Sequence, residues 1–584
     1  MRIGIGLGVI PFLGFLINFF HIPLDWKIFL ALSLVVPIIC LFKSTFIKSK
    51  KLPPFNFKLT KSNIYILVVL FLFSLSLFMY TSGAFKYPWL ENDDSWYHAA
   101  GIKYVSIEKD VFHTRTDFMY INPYPPGYDL LFGILHQTSS SLYWTMKFFN
   151  ALIISLGIIF FYFFAKGFIG NKNKALFATF VLASIPCYLS HFIWAHSLVV
   201  TLLFPAMYCI EMLGKDKRWL YPSILIIASI CLTQPTQPIK FIVLFGIYFL
   251  VKWISKRKFD FVLLLSLFGG YILSLVWWFN HFKPILLLTR AKQVIESEIE
   301  YGILQKMINI IHKIFRQSSG SATREYSFNE IVFAKHQNMI NNPIGIGLFI
   351  SLLLLVSVIF LILKYKKLLN KEQTYLPITL LWAIFTFLGF NSMTFNLPIG
   401  LFSFRFWMLF AIPASILAAE GLWFLYSIGN KYGVPKIIIL IIVIIGIIFT
   451  SAHQKYSVNT AIWPFGIGWT SLEEVQGYSW LRENLPINTK IFTFTENYFV
   501  IGFDMYSCIW CEDINKYKET AINKSGAELN SWLKIRGYQY LIIDGRTVRK
   551  FGSNETNNKV NELLSSNLFK PVHQTNGAFI LKII

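Results

Sequence analysis

Residues 64–83 read IYILVVLFLFSLSLFMYTSG, twenty consecutive positions without a charged side chain. A helix needs about 20 predominantly apolar residues to cross the hydrocarbon core of a bilayer. Further apolar stretches stand near residues 3–20, 28–42, 142–165, 175–192, 197–213, 220–233, 239–254, 259–279, 343–363, 374–390, 401–427 and 436–452. The sequence therefore predicts a polytopic α-helical membrane protein with about 13 transmembrane helices.

The composition excludes several classes of protein. Of the 584 residues, 55% are hydrophobic, 18% aromatic and only 14% charged, and the mean hydropathy is +0.54. A soluble domain carries roughly 25% charged residues, so a soluble enzyme, a secreted disulfide scaffold and a disordered protein are excluded. The net charge of +23 is expected to mark cytoplasmic loops, and no nucleic-acid partner is expected.

The basic residues predict an orientation in the membrane. Clusters of Lys and Arg follow the second, fourth, sixth, eighth and tenth apolar stretches, at residues 43–61, 166–174, 215–218, 252–258 and 364–371. Basic loops stay on the cytoplasmic side. The even-numbered helices are therefore predicted to run inward, and the N-terminus to be cytoplasmic.

This orientation places three regions outside: a loop at 84–141, a second loop at 280–342, and the tail. The tail has the mixed polarity of a soluble domain, and its pattern alternates helices with strands. The predicted elements are Ser471–Asn484, Lys490–Thr495, Ala527–Arg536, Tyr540–Ile543, Val560–Leu564 and Ala578–Ile583. We predict a membrane domain at 1–452 and a small extracytoplasmic α/β domain at 453–584.

The first outer loop contains the residues best suited to chemistry. It begins with ENDDSWYH (91–98), in which Asp93 and Asp94 are adjacent, and later contains YPPG (124–127). Two carboxylates can bind a hard divalent cation, take a proton from a hydroxyl, or divide these tasks. The alternative is a solvated loop start that only caps the next helix.

The combination of DSWYHA (94–99) with YPPG resembles the first outer loop of GT-C membrane glycosyltransferases. The resemblance is to the catalytic subunit of oligosaccharyltransferases and its prokaryotic relatives. In the tail, GYSWLRENLP (477–486) and GYQYLIID (537–544) are similar to a helix and a strand of their outer domain.

The resemblance implies an inverting enzyme. It would move a sugar or glycan from a polyprenyl phosphate or diphosphate donor to a glycan, lipid or protein acceptor. The reaction would take place on the outer face of a membrane, here a prokaryotic plasma membrane.

The resemblance also implies roles for individual residues. Asp94 matches the acidic residue that binds a metal or activates the acceptor, and Asp93 is its partner. Relatives carry a second acidic motif in a later outer loop, but the matching residues here read SHFIWAH (190–196). His196 is therefore the further candidate ligand for a divalent cation (Mg, Mn, Ca or Zn), and a structural role at a helix end is its alternative.

Five residues are candidates for binding the substrate or the lipid-linked donor. Arg405 matches an arginine that contacts the carrier phosphate in relatives, and interfacial snorkelling is its alternative. Tyr97, His98 and Tyr124 belong to the two motifs of the first outer loop. Glu330 ends a Ser-x-x-Glu sequence similar to a loop motif of oligosaccharyltransferases. The Trp-Trp-Asp acceptor motif of protein N-glycosylating enzymes is absent from the tail.

Two other features leave alternatives open. Cys508 and Cys511 fit a local disulfide or half of a zinc site, but no second cysteine pair exists in the sequence. A transporter or flippase and a non-catalytic scaffold are the rival functions. A transporter would place charges in mid-membrane, whereas Asp and Glu are almost absent from the apolar stretches.

Overall fold

The computed structural model describes residues 1–46, 61–112, 121–291, 324–334, 343–364, 373–495 and 498–584. Most of the predicted outer loop 280–342 and most of the basic cluster 43–61 lie outside these residues.

Each predicted apolar stretch contains a helix. These helices are α1 (Arg2–Phe19), α2 (Trp26–Phe46), α3 (Lys61–Ala84), α6 (Leu142–Ile169), α7 (Lys172–Ser184), α8 (Ala195–Met212), α9 (Leu220–Cys231), α10 (Gln237–Lys256), α11 (Phe261–Ala291), α13 (Leu348–Leu363), α14 (Tyr375–Phe390), α15 (Trp407–Lys431) and α16 (Lys436–Ile447). The polytopic helical architecture is therefore confirmed.

The number of membrane spans is a separate matter. Among the described residues, 8 helices are long and apolar enough to cross a membrane, and α2, α13 and α14 contain shorter apolar helices. Helices α7 and α9 have only 13 and 12 residues. The structure thus shows an integral membrane protein, whereas 13 spans and a cytoplasmic N-terminus stay predictions.

Helix α7 is shorter than its apolar stretch indicates. The sequence predicted a segment reaching residue 192, but the helix ends at Ser184. Ile185 has an extended backbone and precedes Pro186. A residue before proline disfavours the helical conformation, so the chain continues to α8 as an irregular segment.

The first outer loop contains two helices that hydropathy does not indicate. The remaining α-helices among the described residues are α4 (Asn92–Glu108), α5 (Gly127–His136), α12 (Phe328–Phe333), α17 (His453–Asn459), α18 (Leu472–Asn484), α19 (Tyr498–Gly502), α20 (Glu512–Thr520), α21 (Gly526–Ile535), α22 (Gly545–Phe551) and α23 (Ser553–Ser565). Helix α4 carries Asp93 and Asp94 in its first turn.

The tail is an α/β region, as predicted. Its four strands are β1 (Ile491–Thr493), β2 (Tyr540–Asp544), β3 (Phe569–Gln574) and β4 (Ala578–Ile583). They form a sheet in the order β1-β2-β4-β3, in which only β1 and β2 are parallel. Strand β3 and helices α19, α20 and α22 were not predicted.

Cys508 and Cys511 form a disulfide. Of the two alternatives from the sequence, a local disulfide and half of a zinc site, the structure therefore shows the first.

The chain divides into two compact units. The first unit comprises Met1–Leu13, Phe57–Lys86 and Asn150–Ala461, and the second comprises Gly14–Asn56, Tyr87–Phe149 and Ile462–Ile584. The tail therefore shares a unit with the first outer loop. The predicted boundary between 1–452 and 453–584 stays a prediction.

Helix packing in the first unit depends on a glycine in α15. A Cβ at Gly421 would lie 2.2 Å from the Leu353 carbonyl oxygen of α13.

We expect Gly421→Ala to lower the melting temperature of the purified protein in detergent, because overpacking costs about 1–3 kcal/mol. Gly246→Ala in α10 is the control, since a Cβ there meets nothing within 4 Å. Equal melting temperatures for the two variants would contradict this account.

Candidate functional site

The acidic pair lies at the start of α4 in the second unit. Asp93 and Asp94 are half-buried and stand in the first helical turn, where the helix dipole favours negative charge. Asn92, directly before them, has a φ of 50°. This left-handed conformation is uncommon for a residue other than glycine, and such strain persists where the surroundings impose it.

A buried ion cluster holds the entry to α4. The Tyr87 hydroxyl donates to Glu91 Oε1 at 2.9 Å, and Lys147 Nζ lies 3.8 Å from the same oxygen. Lys147 also donates to the Tyr87 carbonyl oxygen at 3.0 Å. Glu91 and Lys147 are fully buried, and burial raises the pKa of the Glu91 carboxyl. This cluster fixes the backbone immediately before the acidic pair.

A segment of the tail packs against the same part of α4. The indole of Trp89 donates to the Trp463 carbonyl oxygen at 2.9 Å, and the indole of Trp96 donates to the Phe465 carbonyl oxygen at 3.2 Å. Gly466 has a φ of 103°, and a Cβ on it would lie 2.8 Å from Asn92 Cα. Only glycine fits this close approach. The tail thus helps to impose the conformation of Asn92.

An ion network in the tail lies behind the contact between the tail and α4. Arg546 pairs with Asp544 at 2.5 Å and with Glu474 at 3.1 Å. Its guanidinium lies 4.6 Å from the ring centre of Trp469, and that ring packs edge-on against Trp96 with 5.2 Å between their centres. The buried charges of the tail therefore hold the Trp469 ring against Trp96 of α4.

His98 and Asp129 form a buried pair between α4 and α5. His98 Nδ1 lies 2.6 Å from Asp129 Oδ1, and the two side chains are 2% and 1% exposed. Asp129 Oδ2 has no hydrogen-bond partner among the described residues, and a Cβ on Gly101 would lie 2.0 Å from it. Burial raises the pKa of Asp129 to about 6, although His98 opposes the shift.

The predicted tyrosines of the first outer loop lie around this pair. The Tyr124 ring centre is 6.4 Å from that of His98, and Tyr128 is closer, at 4.6 Å. Tyr97 packs against Tyr498 of the tail, with 4.8 Å between ring centres. The second unit therefore collects five predicted residues in and beside α4: Asp93, Asp94, Tyr97, His98 and Tyr124.

Arg405 and His196, both in the first unit, meet at Trp194. Arg405 lies in a short 3-10 turn, Ser403–Phe406, that leads into α15. Its guanidinium carbon is 5.9 Å from the Trp194 ring centre, and the His196 ring centre is 4.4 Å from the same ring. Arg405 Nη1 donates to Thr236 Oγ1 at 3.3 Å.

A second cation, missed from the sequence, lies beside Arg405. Lys240 is fully buried, and its Nζ is 3.5 Å from the Phe402 carbonyl oxygen and 4.1 Å from the Phe406 ring centre. The Arg405 guanidinium packs over the Phe402 ring at 4.7 Å. Among the described residues, neither cation has a carboxylate within salt-bridge distance.

Polar atoms without partners surround the two cations. In the described part of the chain, no hydrogen bond reaches Arg405 Nε, Gln237 Oε1 or Trp194 Nε1, although all three are buried. Buried polar groups normally have partners. Gln237 Oε1 is an acceptor, but Arg405 Nε and Trp194 Nε1 are donors. Two cations together with two such donors are typical of a site that binds an anion.

Glu330 has a complete set of local contacts. It accepts hydrogen bonds from Ser327 N at 2.8 Å and from Arg324 Nη1 at 2.5 Å. Together with Ser327 it forms a capping box at the start of α12. These contacts account for the Ser-x-x-Glu sequence structurally, and a role in donor binding stays a prediction.

The predicted metal ligands fall in both units: Asp93 and Asp94 lie in the second, and His196 belongs to the first. In the described part of the chain, no group of three or more His, Cys, Asp and Glu side chains that could hold a metal ion occurs. A hard cation such as Mg²⁺ keeps several waters and needs only one or two carboxylates from the protein, which Asp93 and Asp94 can supply. The divalent cation stays a prediction.

The buried pair of α4 and α5 gives a prediction on pH. The unfolded Asp129 carboxyl ionises near pH 4 and the folded one near pH 6. Between these values only the unfolded chain has lost the proton, so this carboxyl stabilises the folded state less as the pH rises. We expect the melting temperature of the wild type minus that of Asp129→Asn to decrease from pH 4 to pH 6.

The control for this pH series is Glu483→Gln, at an exposed glutamate of the tail. Its difference from wild type should change less over the same range. A flat difference for Asp129→Asn would rule out a raised pKa at Asp129. His98 contacts Asp129 and is itself ionisable. Both series are therefore extended to pH 7.5, so that the effects of the two groups can be separated.

No protein-family profile and no curated protein matches the sequence. Among solved structures, the apo oligosaccharyltransferase of Archaeoglobus fulgidus is 13% identical, over 83% of this chain and 70% of that chain, with a TM-score of 0.49. The archaeal oligosaccharyltransferase AglB from Archaeoglobus fulgidus, in complex with an inhibitory peptide and a dolichol-phosphate, has a TM-score of 0.48 at 13% identity, over 89% of this chain and 74% of that one. ArnT from Cupriavidus metallidurans, bound to undecaprenyl phosphate, is 13% identical over 90% of this chain and 98% of that one, with a TM-score of 0.47. Similarity at these identities and at TM-scores below 0.5 assigns no activity to this chain.

Proposed function

We propose that this protein is a GT-C-type membrane glycosyltransferase. It would transfer a sugar or glycan from a polyprenyl phosphate or diphosphate carrier to an acceptor on the outer face of the membrane. The observation that carries the proposal is the pair of neighbouring cations, Lys240 and Arg405, without a carboxylate partner among the described residues.

The cost of burying charge explains why this pair points to a ligand. An unpaired ammonium group inside a membrane protein costs several kcal/mol and marks a functional site. A phosphate of the lipid carrier supplies the missing negative charge, and its oxygens suit the planar donors of Arg405. Lys240 and Arg405 would then also stabilise the charge that develops on the phosphate as it leaves.

The acidic pair would act on the acceptor. Asp94 or Asp93 takes the proton of the acceptor hydroxyl as its oxygen attacks the anomeric carbon of the sugar. The bond from that carbon to the phosphate oxygen breaks, the electron pair leaves with the carrier phosphate, and the configuration inverts. A bound divalent cation would supply further charge stabilisation, but no step here depends on it.

A lipid flippase or transporter is the second candidate. The same two cations would bind a lipid phosphate that is moved and not cleaved, so the anion site alone does not separate the two functions. The acidic pair favours the enzyme, because two adjacent carboxylates can take the proton of an acceptor hydroxyl. Loss of the lipid-linked donor is the measurement that decides between them.

The first test of this proposal is turnover. Purified protein in nanodiscs is given a panel of polyprenyl phosphate and diphosphate sugars and acceptors, with and without EDTA. Replacement of a general base lowers rates by about 10²–10⁴-fold, and we expect Asp94→Asn to do so. Asp513→Asn, at an exposed tail aspartate, is the control and should keep the wild-type rate.

The turnover assay has informative negative results. Unchanged turnover in both Asp94→Asn and the Asp93→Ala/Asp94→Ala double variant would exclude these residues as the base. Binding without turnover across the whole panel would favour the flippase. No binding at all by correctly folded protein would favour a non-catalytic scaffold. The EDTA arm tests the predicted cation separately.

The second test is donor binding by the cation pair. A hydrogen bond to a charged group contributes about 1.5–3 kcal/mol, so we expect Lys240→Gln to weaken polyprenyl phosphate binding roughly 10–150-fold. Lys455→Gln is the matched control, because Lys455 is equally buried and is also 3.5 Å from a backbone carbonyl oxygen, that of Leu182. Equal losses in the two variants would contradict a phosphate site at Lys240.

A further inference from the structure

An apolar groove lies in the first unit, between helices α3, α7, α15 and α16. Its volume is about 400 Å³, and its walls include Val68 and Leu72 of α3, Phe177 and Phe180 of α7, and Ile444 of α16. Helix α3 and the span Lys436–Asn459 that begins with α16 are mostly exposed, since only 28% and 22% of their apolar windows are buried inside the protein. The groove therefore opens towards the surroundings of these outer helices, which in a membrane are lipid chains.

The groove runs along the helices from one polar end. On α7 its lining extends from Asn173 to Phe180, about 10 Å at 1.5 Å per residue. Among the described lining residues, Asn173 is the only one with an amide side chain, and it accepts a hydrogen bond from the Tyr65 hydroxyl of α3. An elongated apolar groove with one polar end matches an acyl chain with its head group at that end.

Two lysines stand beside lining residues of the groove. Lys172 precedes Asn173 at the N-terminus of α7, and Lys436, at the N-terminus of α16, stands one turn before the lining residue Leu440 on the same face of that helix. Both lysines are exposed. The only acidic residue in the four helices that form the groove is Glu420, and Lys174 already neutralises it at 2.8 Å. A negative head group is therefore favoured beside Lys172 and Lys436.

We infer that this groove is a binding site for one anionic phospholipid. An acyl chain would lie between α3, α7 and α16, and the phosphate would lie beside Lys172 and Lys436. The site belongs to the leaflet at the N-terminus of α7, which the sequence predicts to be cytoplasmic. It is separate from the proposed transferase chemistry, and its test does not depend on that function.

The site is tested by the lipids that the purified protein retains. Protein from nanodiscs containing equal amounts of phosphatidylglycerol and phosphatidylcholine is analysed by native mass spectrometry. We expect one phosphatidylglycerol per chain. Ile444→Trp fills the groove and should remove this lipid. Ile441→Trp is the control, because Ile441 is 49% exposed on the same helix and does not line the groove.

A second variant covers the case in which Ile444→Trp does not fold. Val68→Trp fills the groove from α3, and Leu67→Trp, at a residue 48% exposed, is its control. Equal lipid retention in a filled variant and its control would overturn the site. Retention of polyprenyl phosphate in place of phosphatidylglycerol by the wild type would also overturn the assignment.

The head-group contact has its own test. Lys172→Gln with Lys436→Gln should lower the preference for phosphatidylglycerol over phosphatidylcholine roughly 30-fold, the effect expected of two lysines near a membrane surface. Lys256→Gln with Lys258→Gln removes the same charge from two exposed lysines at the end of α10 and should leave the preference unchanged. The same preference in both double variants would exclude the predicted head-group site.

Discussion

An uncompensated charge is costly in a membrane. This cost separates the charged side chains that have a structural partner from those that we propose to bind a ligand. Glu420 pairs with Lys174 at 2.8 Å, so both belong to the packing of the helices. Lys455 lies 3.5 Å from the Leu182 carbonyl oxygen in the last turn of α7, where the helix dipole favours a cation. Lys240 has a second cation, Arg405, as its neighbour, and the proposed lipid phosphate would relieve their repulsion.

A different constraint shapes the other half of the proposed chemistry. The acidic pair is exposed enough to meet an acceptor, yet its backbone is fixed from two sides. The Glu91 cluster holds the chain before α4, and Gly466 of the tail approaches Asn92 so closely that no side chain fits. The left-handed Asn92 is thus imposed by its neighbours. Fixed carboxylates are what proton abstraction in a transferase requires.

The sequence predicted the elements that depend on hydropathy and missed those that depend on tertiary contact. Every long apolar stretch contains a helix, because apolar length alone specifies one in a membrane. Helix α4 was not predicted, since its sequence is polar and its burial comes from α5 and the tail. Lys240 gave no signal because its neighbour Arg405 is 165 positions away. Asp129 was missed for the same reason, since its pairing with His98 emerges only when α4 and α5 pack together.

The central claim is that Lys240 and Arg405 bind the phosphate of a lipid carrier. The most direct measurement is a cryo-EM structure of the full chain in nanodiscs with a polyprenyl phosphate. The account predicts phosphate density within hydrogen-bonding distance of Lys240 Nζ and the Arg405 guanidinium, with the indole N–H of Trp194 completing the contacts. Phosphate density elsewhere, with both cations unchanged, would contradict it.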